Sequence, residues 1–318
     1  MEERKVIVID ATNFPDANFR KYLLEQDYGR SGVIDEEKIK DITVIDVHHR
    51  SIGHLTGIEF FTSLKELHCN FNFLVSLDVT KNAELTTLNC YNNQLSSLDV
   101  SQNKALTTLS CYNNHLATLD VSHNPALSEL NCYANKLTEL DVTHNPALTE
   151  LRCYSNQLKE LDITHNPALT FLWCCYNQLS ALDVSKCPVL RELWCNGNHL
   201  SSLNVSNNPA LVFFWCCLNQ LTELDLSNNP ALSKLRCYNN QLTSLDVSNN
   251  PALVELRCND NHLTTLDVSA NAALIELWCY NNELTSLNVL NNLALTELRC
   301  FGNQLTSLEV TKNTAVIE

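Results

Sequence analysis

Twelve cysteines recur in this chain at an unbroken interval of 21 residues. They are Cys69, Cys90, Cys111, Cys132, Cys153, Cys174, Cys195, Cys216, Cys237, Cys258, Cys279 and Cys300. A period this strict predicts one short structural unit repeated along the chain, because such a unit buries its apolar residues only by stacking on its neighbours. Equivalent residues of successive repeats should therefore form columns, one residue from each repeat.

Each unit follows the pattern L-x-x-L-x-C-x-x-N-x-L-x-x-L-D-V-S-x-N-P-A. This is the leucine-rich repeat, with cysteine where a leucine normally ends the short strand. Strand alternation predicts that the leucines and the cysteine point inward and that the residues flanking the cysteine point outward. An asparagine column that runs every 21 residues from Asn72 to Asn303 is expected to hydrogen-bond the backbone, because an unpaired buried amide is costly.

The pattern predicts an α/β solenoid, a right-handed leucine-rich-repeat superhelix with a concave parallel sheet and internal ladders of cysteine and asparagine. In-register strands lie ~4.7–4.9 Å apart with parallel side chains, which does not suit disulfide geometry. The ladder cysteines are therefore expected to be free thiols that act as small buried hydrophobes. The alternative, a metal-thiolate or redox stack, requires water access that inward thiols lack.

The first forty residues differ from the rest, and we predict a helical cap over 1–41 and a repeat domain over 42–318. Apolar spacing favours a helix from Pro15 to Gln26, followed by an EF-hand-like loop from Asp27 to Lys38. Lys38 stands where the bidentate glutamate of a calcium loop should be, so a vestigial loop is favoured over a working calcium site.

The repeat domain should begin with an irregular first repeat and continue with twelve 21-residue repeats. Val47 takes the ladder position of the irregular repeat, 22 residues before Cys69. Val316 falls where a further repeat would begin, so the chain is expected to be part of a longer protein.

Composition argues against several classes of partner. The formal net charge of −15 opposes binding to nucleic acid or to anionic membranes. No apolar run approaches the ~20 residues that a membrane helix needs. No glycine-rich phosphate loop or carboxylate pair is present, so we expect a protein without cofactor, metal or enzymatic activity. Asp46, His48, His49 and His68 gather near one end, where solvated side chains are favoured over a metal site.

The predicted concave face carries an aromatic patch. All four tryptophans lie in the column directly before the ladder cysteines, and Trp173, Trp194 and Trp215 come from consecutive repeats. Aromatic side chains ringed by charge are typical of binding hot spots, although stacked aromatics also stabilise sheets. We predict ligand-binding residues Arg152, Tyr154, Phe171, Trp173, Cys175, Tyr176, Glu192, Trp194, Asn196, Phe213, Trp215, Cys217, Leu218, Arg236 and Arg257.

Within this patch, Cys175 and Cys217 are expected to be outward-facing thiols close to a bound ligand. Neither has a histidine in its own or an adjacent strand that could act as a base, so cysteine catalysis is not expected. Glu150 and Glu255 should help to orient a ligand among the arginines.

The helical cap, the 21-residue repeats and the cysteine ladder resemble the bacterial internalins, most of all those with a cysteine ladder. The resemblance implies a secreted or surface-anchored bacterial adhesin that recognises a host or neighbouring-cell protein or peptide. It transfers no ligand-binding residues. The opening segment MEERKVIVIDATNFPD carries no hydrophobic signal core, so either the protein is cytoplasmic or a signal is missing from this sequence. Two alternatives stay open: a glycan-binding adhesin, and a self-assembly module that uses the patch as an oligomer interface.

Overall fold

A computed structural model describes residues 5–308 together with residues 310 and 313. The chain divides into two compact units, residues 1–157 and residues 158–318. The predicted start of a further repeat at Val316 lies outside the described residues. Each unit is a leucine-rich-repeat solenoid whose turns each contribute one short parallel strand.

The first unit opens with a small cap. Strand β1 (Val6–Val8) pairs antiparallel with β2 (Val33–Asp35), and helix α1 (Ala17–Glu25) lies between them in the chain. Asp16 caps α1 by accepting hydrogen bonds from two backbone N–H groups of the first turn. A one-turn helix α2 (Glu36–Ile39) follows β2. The predicted cap helix is thus confirmed with slightly shorter bounds.

The EF-hand-like loop uses its carboxylates within the cap. Asp27 forms an ion pair with Arg30 at 2.9 Å, and Asp35 accepts a hydrogen bond from the backbone of Glu37 at 3.1 Å. The cap also contacts the first repeat, because Asp16 Oδ2 accepts a hydrogen bond from the backbone N–H of Gly53 at 2.8 Å.

The strands follow the cysteine period, with bounds that shift by 21 residues from repeat to repeat after a first step of 22. A 3₁₀ turn, Ile58–Phe60, follows the first repeat strand. In the first unit the strands are β3 (Val44–Asp46), β4 (Glu66–His68), β5 (Thr87–Asn89), β6 (Thr108–Ser110), β7 (Glu129–Asn131) and β8 (Glu150–Arg152). In the second unit they are β9 (Phe171–Trp173), β10 (Glu192–Trp194), β11 (Phe213–Trp215), β12 (Lys234–Arg236), β13 (Glu255–Arg257), β14 (Glu276–Trp278) and β15 (Glu297–Arg299).

Each strand pairs in parallel with the next strand of its unit, and equivalent residues face each other. Leu193 of β10 lies opposite Leu172 of β9 and Phe214 of β11. The central residue of each repeat strand is buried, while its two neighbours are at least partly exposed in most repeats. This alternation places one face of the sheet in the core and leaves the other as the exposed face.

The predicted asparagine ladder is buried and structural. In a representative repeat, the side-chain amide of Asn198 donates to the carbonyls of Cys174 at 3.2 Å and Cys195 at 2.9 Å. Its Oδ1 accepts the backbone N–H of Leu179 at 3.0 Å. One side chain therefore satisfies backbone groups from two consecutive repeats, which joins the repeats in register.

A second buried asparagine ladder, which the repeat pattern did not reveal, runs through the Asn-Pro turns. Asn208 donates from its side-chain amide to the carbonyls of Val184 at 2.9 Å and Cys187 at 2.8 Å. Cys187 occupies the same column, and its thiol lies 3.7 Å from the carbonyl of Ile163. The turn therefore continues the interior hydrogen bonding of the solenoid.

The cysteine ladder consists of thiols, with no disulfide within the described residues. The ladder cysteines from Cys69 to Cys279 are fully buried, as predicted. Burial in an apolar interior disfavours the thiolate, so it raises the pKa of Cys111 to about 12 and the pKa of Cys195 well above its ordinary value.

The prediction that Cys175 and Cys217 are accessible, outward-facing thiols is wrong. Their exposed fractions are only 5% and 2%. Both are short side chains in a column rich in tyrosine. Burial raises the pKa of Cys175 to about 12. These thiols therefore lack the exposure and the thiolate character that reactivity requires.

We expect Asn198→Leu to destabilise the protein strongly. The substitution leaves two carbonyls and one backbone N–H of the interior without their partner, and each such group costs roughly 1–3 kcal/mol. The free energy of unfolding in urea should fall by about 3 kcal/mol or more. The exposed neighbour His199 provides the control, since His199→Ala should change it by less than ~0.5 kcal/mol. Equal stability of both variants would contradict a structural role for the ladder.

The buried thiols predict a steep loss of stability in alkali. Below pH 9 the thiols are protonated in both states, whereas above it the unfolded chain releases protons that the folded chain retains. Each such thiol should therefore lower the free energy of unfolding by about 1.4 kcal/mol per pH unit above ~9, until its folded pKa is reached. The measurement is the slope of the unfolding free energy against pH from 8 to 10.5. The combined substitution of Cys195, Cys216 and Cys237 by alanine should reduce that slope by about three times the contribution of one thiol. An unchanged slope would contradict the explanation.

Candidate functional site

In the second unit, three tryptophans form a continuous stack along the exposed face. The rings of Trp173 and Trp194 are parallel with centroids 4.1 Å apart, and those of Trp194 and Trp215 lie 3.9 Å apart. The guanidinium of Arg236 continues the stack, with Cζ 4.1 Å from the Trp215 ring. All three rings are partly exposed. The strand register produces this stack, because it places the three residues directly opposite one another.

In the column that contains the tryptophans, one hydrogen-bond rule holds in four repeats. A ring or guanidinium nitrogen donates to the glutamate 19 residues later, which begins the next strand. The pairs are Trp173 Nε1 to Glu192 at 3.3 Å, Arg236 Nε to Glu255 at 2.6 Å, Arg257 Nε to Glu276 at 2.6 Å and Trp278 Nε1 to Glu297 at 3.1 Å. Glutamates of neighbouring strands thus orient the outward side chains.

Two tryptophans break this rule. The position 19 residues after Trp194 holds Phe213, and the position 19 residues after Trp215 holds Lys234. Neither side chain can accept a hydrogen bond. The indole Nε1 atoms of Trp194 and Trp215 are buried and have no hydrogen-bond partner within the described residues. In the described part of the chain, the site therefore contains two indole N–H donors without an acceptor.

Next to Trp215, three cations share one carboxylate. Glu255, with a side chain only 7% exposed, lies 3.7 Å from the ammonium of Lys234 and 2.6 Å and 3.1 Å from the Nε atoms of Arg236 and Arg257. Arg257 also pairs with Glu276 at 2.6 Å and stacks on Trp278, with Cζ 3.8 Å from the ring. We call Lys234, Arg236 and Arg257 the cationic cluster. Its arginines are held in place by stacking on indole rings.

Beside the stack, Tyr176 and Leu218 form an exposed apolar ridge. They are 54% and 38% exposed, and both have the left-handed backbone conformation, with φ of 52° and 56°. Gly197 lies between them in the column, and a Cβ there would meet the ring of Tyr176 at 2.7 Å. Bulky residues rarely adopt this conformation, which most repeats fill with asparagine, aspartate or glycine. The ridge therefore retains two strained, exposed side chains.

The remaining predicted residues of the second unit differ in exposure. Phe171 and Phe213 are partly exposed on the same face as the tryptophans. Asn196 is buried together with Cys175 and Cys217, so these three side chains do not have the exposure that the sequence pattern suggested. The pattern gives the direction of a side chain but not the length of its neighbours.

Arg152 and Tyr154 belong to the first unit. Arg152 pairs with Glu150 at 2.7 Å and donates to Asn131 Oδ1 at 3.0 Å. Tyr154 belongs to a stack with Tyr91, Tyr112 and Tyr133, in which successive ring centroids are 4.2 Å apart. This regular stack fits a stabilising role in the sheet.

The described residues contain no group of three His, Cys, Asp or Glu side chains that could hold a metal ion. Near the start of the solenoid, His68 instead hydrogen-bonds with Asn89 at 2.8 Å and lies 3.3 Å from Glu66. No described helix is long and apolar enough to cross a membrane.

Lys234, Glu276 and Trp278 are parts of this surface that were not among the residues predicted from the sequence. The sequence does contain a signal for these residues. Each residue of the tryptophan column can be compared with the residue 19 positions later, in every repeat. That comparison separates repeats in which a glutamate follows from those in which Phe213 or Lys234 does. The pairing rule behind it becomes visible only in the structure.

No family model matches the chain. A curated relative, internalin J of Listeria monocytogenes serotype 4b (strain F2365), is 38% identical over 70 residues, which is 22% of this chain and 8% of that protein. The aligned segment thus spans a small part of the relative. A leucine-rich repeat protein of Leptospira interrogans has a similar structure, with a TM-score of 0.73, 25% identity, and coverage of 79% of this chain and 69% of that one.

The solved functional domain of InlJ from Listeria monocytogenes, which includes a cysteine ladder, is similar over nearly the whole chain. The two chains are 36% identical with a TM-score of 0.88, and the match covers 98% of this chain and 75% of that one. Extent, identity and the shared ladder agree with the repeat architecture described above. The chain therefore belongs to the internalin-type leucine-rich repeat proteins.

Proposed function

We propose that this chain is a non-enzymatic binding module of a secreted or surface-exposed bacterial adhesin. It recognises a protein or peptide ligand on the exposed face of its second unit. The observation that carries the proposal is the stack of Trp173, Trp194 and Trp215 beside the exposed ridge of Tyr176 and Leu218. The relation to internalins supports export and adhesion, and the role of the whole protein is part of the proposal.

The stack is suited to binding because it is rigid before a ligand arrives. Each ring is held by its neighbours, and Trp173 is also held by Glu192 at 3.3 Å. A ligand that contacts rigid aromatic side chains loses little free energy to side-chain ordering. Tryptophan, tyrosine and arginine are the residues most enriched in binding hot spots, and all three types lie together here.

The strained ridge supports the same proposal. Left-handed backbone costs an ordinary residue roughly 1–2 kcal/mol, and asparagine or glycine avoids most of this cost. Tyr176 and Leu218 keep bulky, exposed side chains at this cost. Such strain is typical of functional positions, and here it presents apolar groups to solvent.

The geometry favours a protein ligand over the glycan alternative. Sugars pack against the open faces of aromatic rings, but both faces of Trp194 are covered, at 4.1 Å by Trp173 and at 3.9 Å by Trp215. The second face of Trp215 is covered by Arg236. Ring edges and the ridge remain for contact, and these suit the side chains of a protein or peptide.

We expect Trp194→Ala to weaken ligand binding at least tenfold. Peptides of about twelve random residues, displayed on phage and selected on the wild-type protein, would be synthesised and their Kd values measured by biolayer interferometry. Tyr112→Ala provides the matched control, because it removes a stacked ring from the first unit and should leave Kd unchanged. Equal losses in both variants, or no loss for Trp194→Ala, would contradict the proposed site.

Light scattering on the same proteins tests the self-assembly alternative. A wild-type monomer over a concentration series supports binding of an external ligand. A wild-type dimer that Trp194→Ala dissociates would make the stack an oligomer interface and would contradict the proposal.

We expect Leu218→Asn to increase stability while it weakens binding. Asparagine tolerates the left-handed backbone, so the free energy of unfolding should rise by about 1 kcal/mol, whereas loss of the exposed side chain should lower affinity for the selected peptides. Asn113 has the same conformation in the first unit, with φ of 52°. Asn113→Leu should lower stability by a similar amount without changing affinity. A stabilised Leu218→Asn protein with full affinity would exclude the ridge from the site.

A further inference from the structure

We propose that the cationic cluster beside Trp215 binds a carboxylate of the ligand, supplied by an aspartate or glutamate of an acidic peptide segment. This inference rests on the proposed function and specifies the chemistry of the ligand.

In four other repeats of the second unit, the position equivalent to Lys234 is a glutamate. Each of these glutamates accepts a hydrogen bond from a residue of the tryptophan column. Those glutamates are Glu192, Glu255, Glu276 and Glu297, which accept from Trp173, Arg236, Arg257 and Trp278 respectively. At the equivalent place beside Trp215 the protein supplies an ammonium and leaves the indole N–H without an acceptor within the described residues. A cation therefore replaces the carboxylate that the neighbouring repeats supply at this place.

The local charge also favours an anion. Lys234, Arg236 and Arg257 converge on Glu255, and Arg257 also pairs with Glu276 at 2.6 Å. Three cations therefore share two carboxylates at this place, in a protein with a formal net charge of −15. A basic site on an otherwise acidic molecule attracts an acidic segment locally.

The arginines are oriented for this contact. Each uses its Nε atom to bind glutamate and stacks its guanidinium on an indole, Arg236 on Trp215 and Arg257 on Trp278. The guanidinium fork carries further N–H donors that match a carboxylate. The side chain of Lys234 is 42% exposed, so its ammonium can turn from Glu255, 3.7 Å away, toward an incoming carboxylate.

An acidic peptide is favoured over an acidic glycan because the carboxylate site adjoins the apolar ridge and the covered tryptophan rings. Leu218 is exposed and follows Trp215 by three residues, so both belong to the same repeat. A segment that combines an acidic residue with a neighbouring apolar residue would use both features. A sugar acid would use only the first.

The test compares Lys234→Glu with wild type, using a fluorescein-labelled hexaglutamate peptide as the probe and hexaglutamine as the neutral reference. Wild type should bind hexaglutamate more tightly than hexaglutamine, with affinity that weakens as salt is added. Lys234→Glu should bind hexaglutamate at least tenfold more weakly. It should fold with unchanged or higher thermal stability, because it gives Trp215 the kind of acceptor that Trp278 has in Glu297.

Lys159→Glu is the matched control, since it makes the same charge change at an exposed position of the second unit. It should alter the affinity for hexaglutamate less than twofold. Equal losses in the two variants would overturn the proposal in favour of a general charge effect, and equal binding of the two peptides by wild type would overturn it outright. Tighter binding of oligogalacturonate than of hexaglutamate would overturn the peptide assignment.

A milder variant keeps the test valid if Lys234→Glu is poorly folded. Lys234→Gln removes the cation without adding charge and should weaken hexaglutamate binding several-fold.

Peptides selected on the wild-type protein separate the two proposals. If they require Trp194 but bind Lys234→Glu normally, the binding module stands and the carboxylate site is wrong.

Discussion

The hydrogen bonds of the interior asparagines are the interaction on which the rest of this structure depends. Each ladder amide joins carbonyls of two consecutive repeats, as Asn198 does with Cys174 and Cys195. In the second ladder, each amide donates to two carbonyls of the preceding repeat, as Asn208 does with Val184 and Cys187. A repeat of 21 residues has too few side chains to build a core alone, and its backbone turns tightly through the interior. The amides satisfy that backbone and hold each repeat in the register of the last.

Strict register is what turns a sequence column into a physical stack. Once equivalent residues lie opposite each other, three tryptophans in one column bring their rings to 3.9–4.1 Å, and Arg236 in the same column extends the stack. The same register places a glutamate against most of the donors from the preceding strand. Repetition thus produces a regular arrangement in which the outward side chains stack on one another or hydrogen-bond to a glutamate of the next strand.

The candidate site is the place where this regular arrangement is interrupted. Phe213 and Lys234 replace the expected glutamates, two indole donors have no acceptor among the residues that the structure describes, and Tyr176 and Leu218 occupy backbone positions better suited to asparagine. Each departure costs local stability, and all lie within neighbouring repeats of the second unit. The tyrosine stack of the first unit shows the opposite case, a regular column that serves the sheet. A solenoid tolerates such a cluster because the loss in one repeat is shared only with its neighbours.

The sequence by itself determined the repeat length, the strand positions, the buried leucines and cysteines, the structural asparagine ladder and the column that holds every tryptophan. These features follow from two periods. The period of 2 along a strand decides on which side of the sheet a residue lies, and the period of 21 decides its neighbours in the column. Only the tertiary structure decided that Cys175, Asn196 and Cys217 are covered, that Asn208 and its equivalents are interior, and that Lys234, Arg236 and Arg257 converge on Glu255. Coverage and pairing depend on the lengths and rotamers of side chains from adjacent repeats, and a periodic pattern contains no information about these distances.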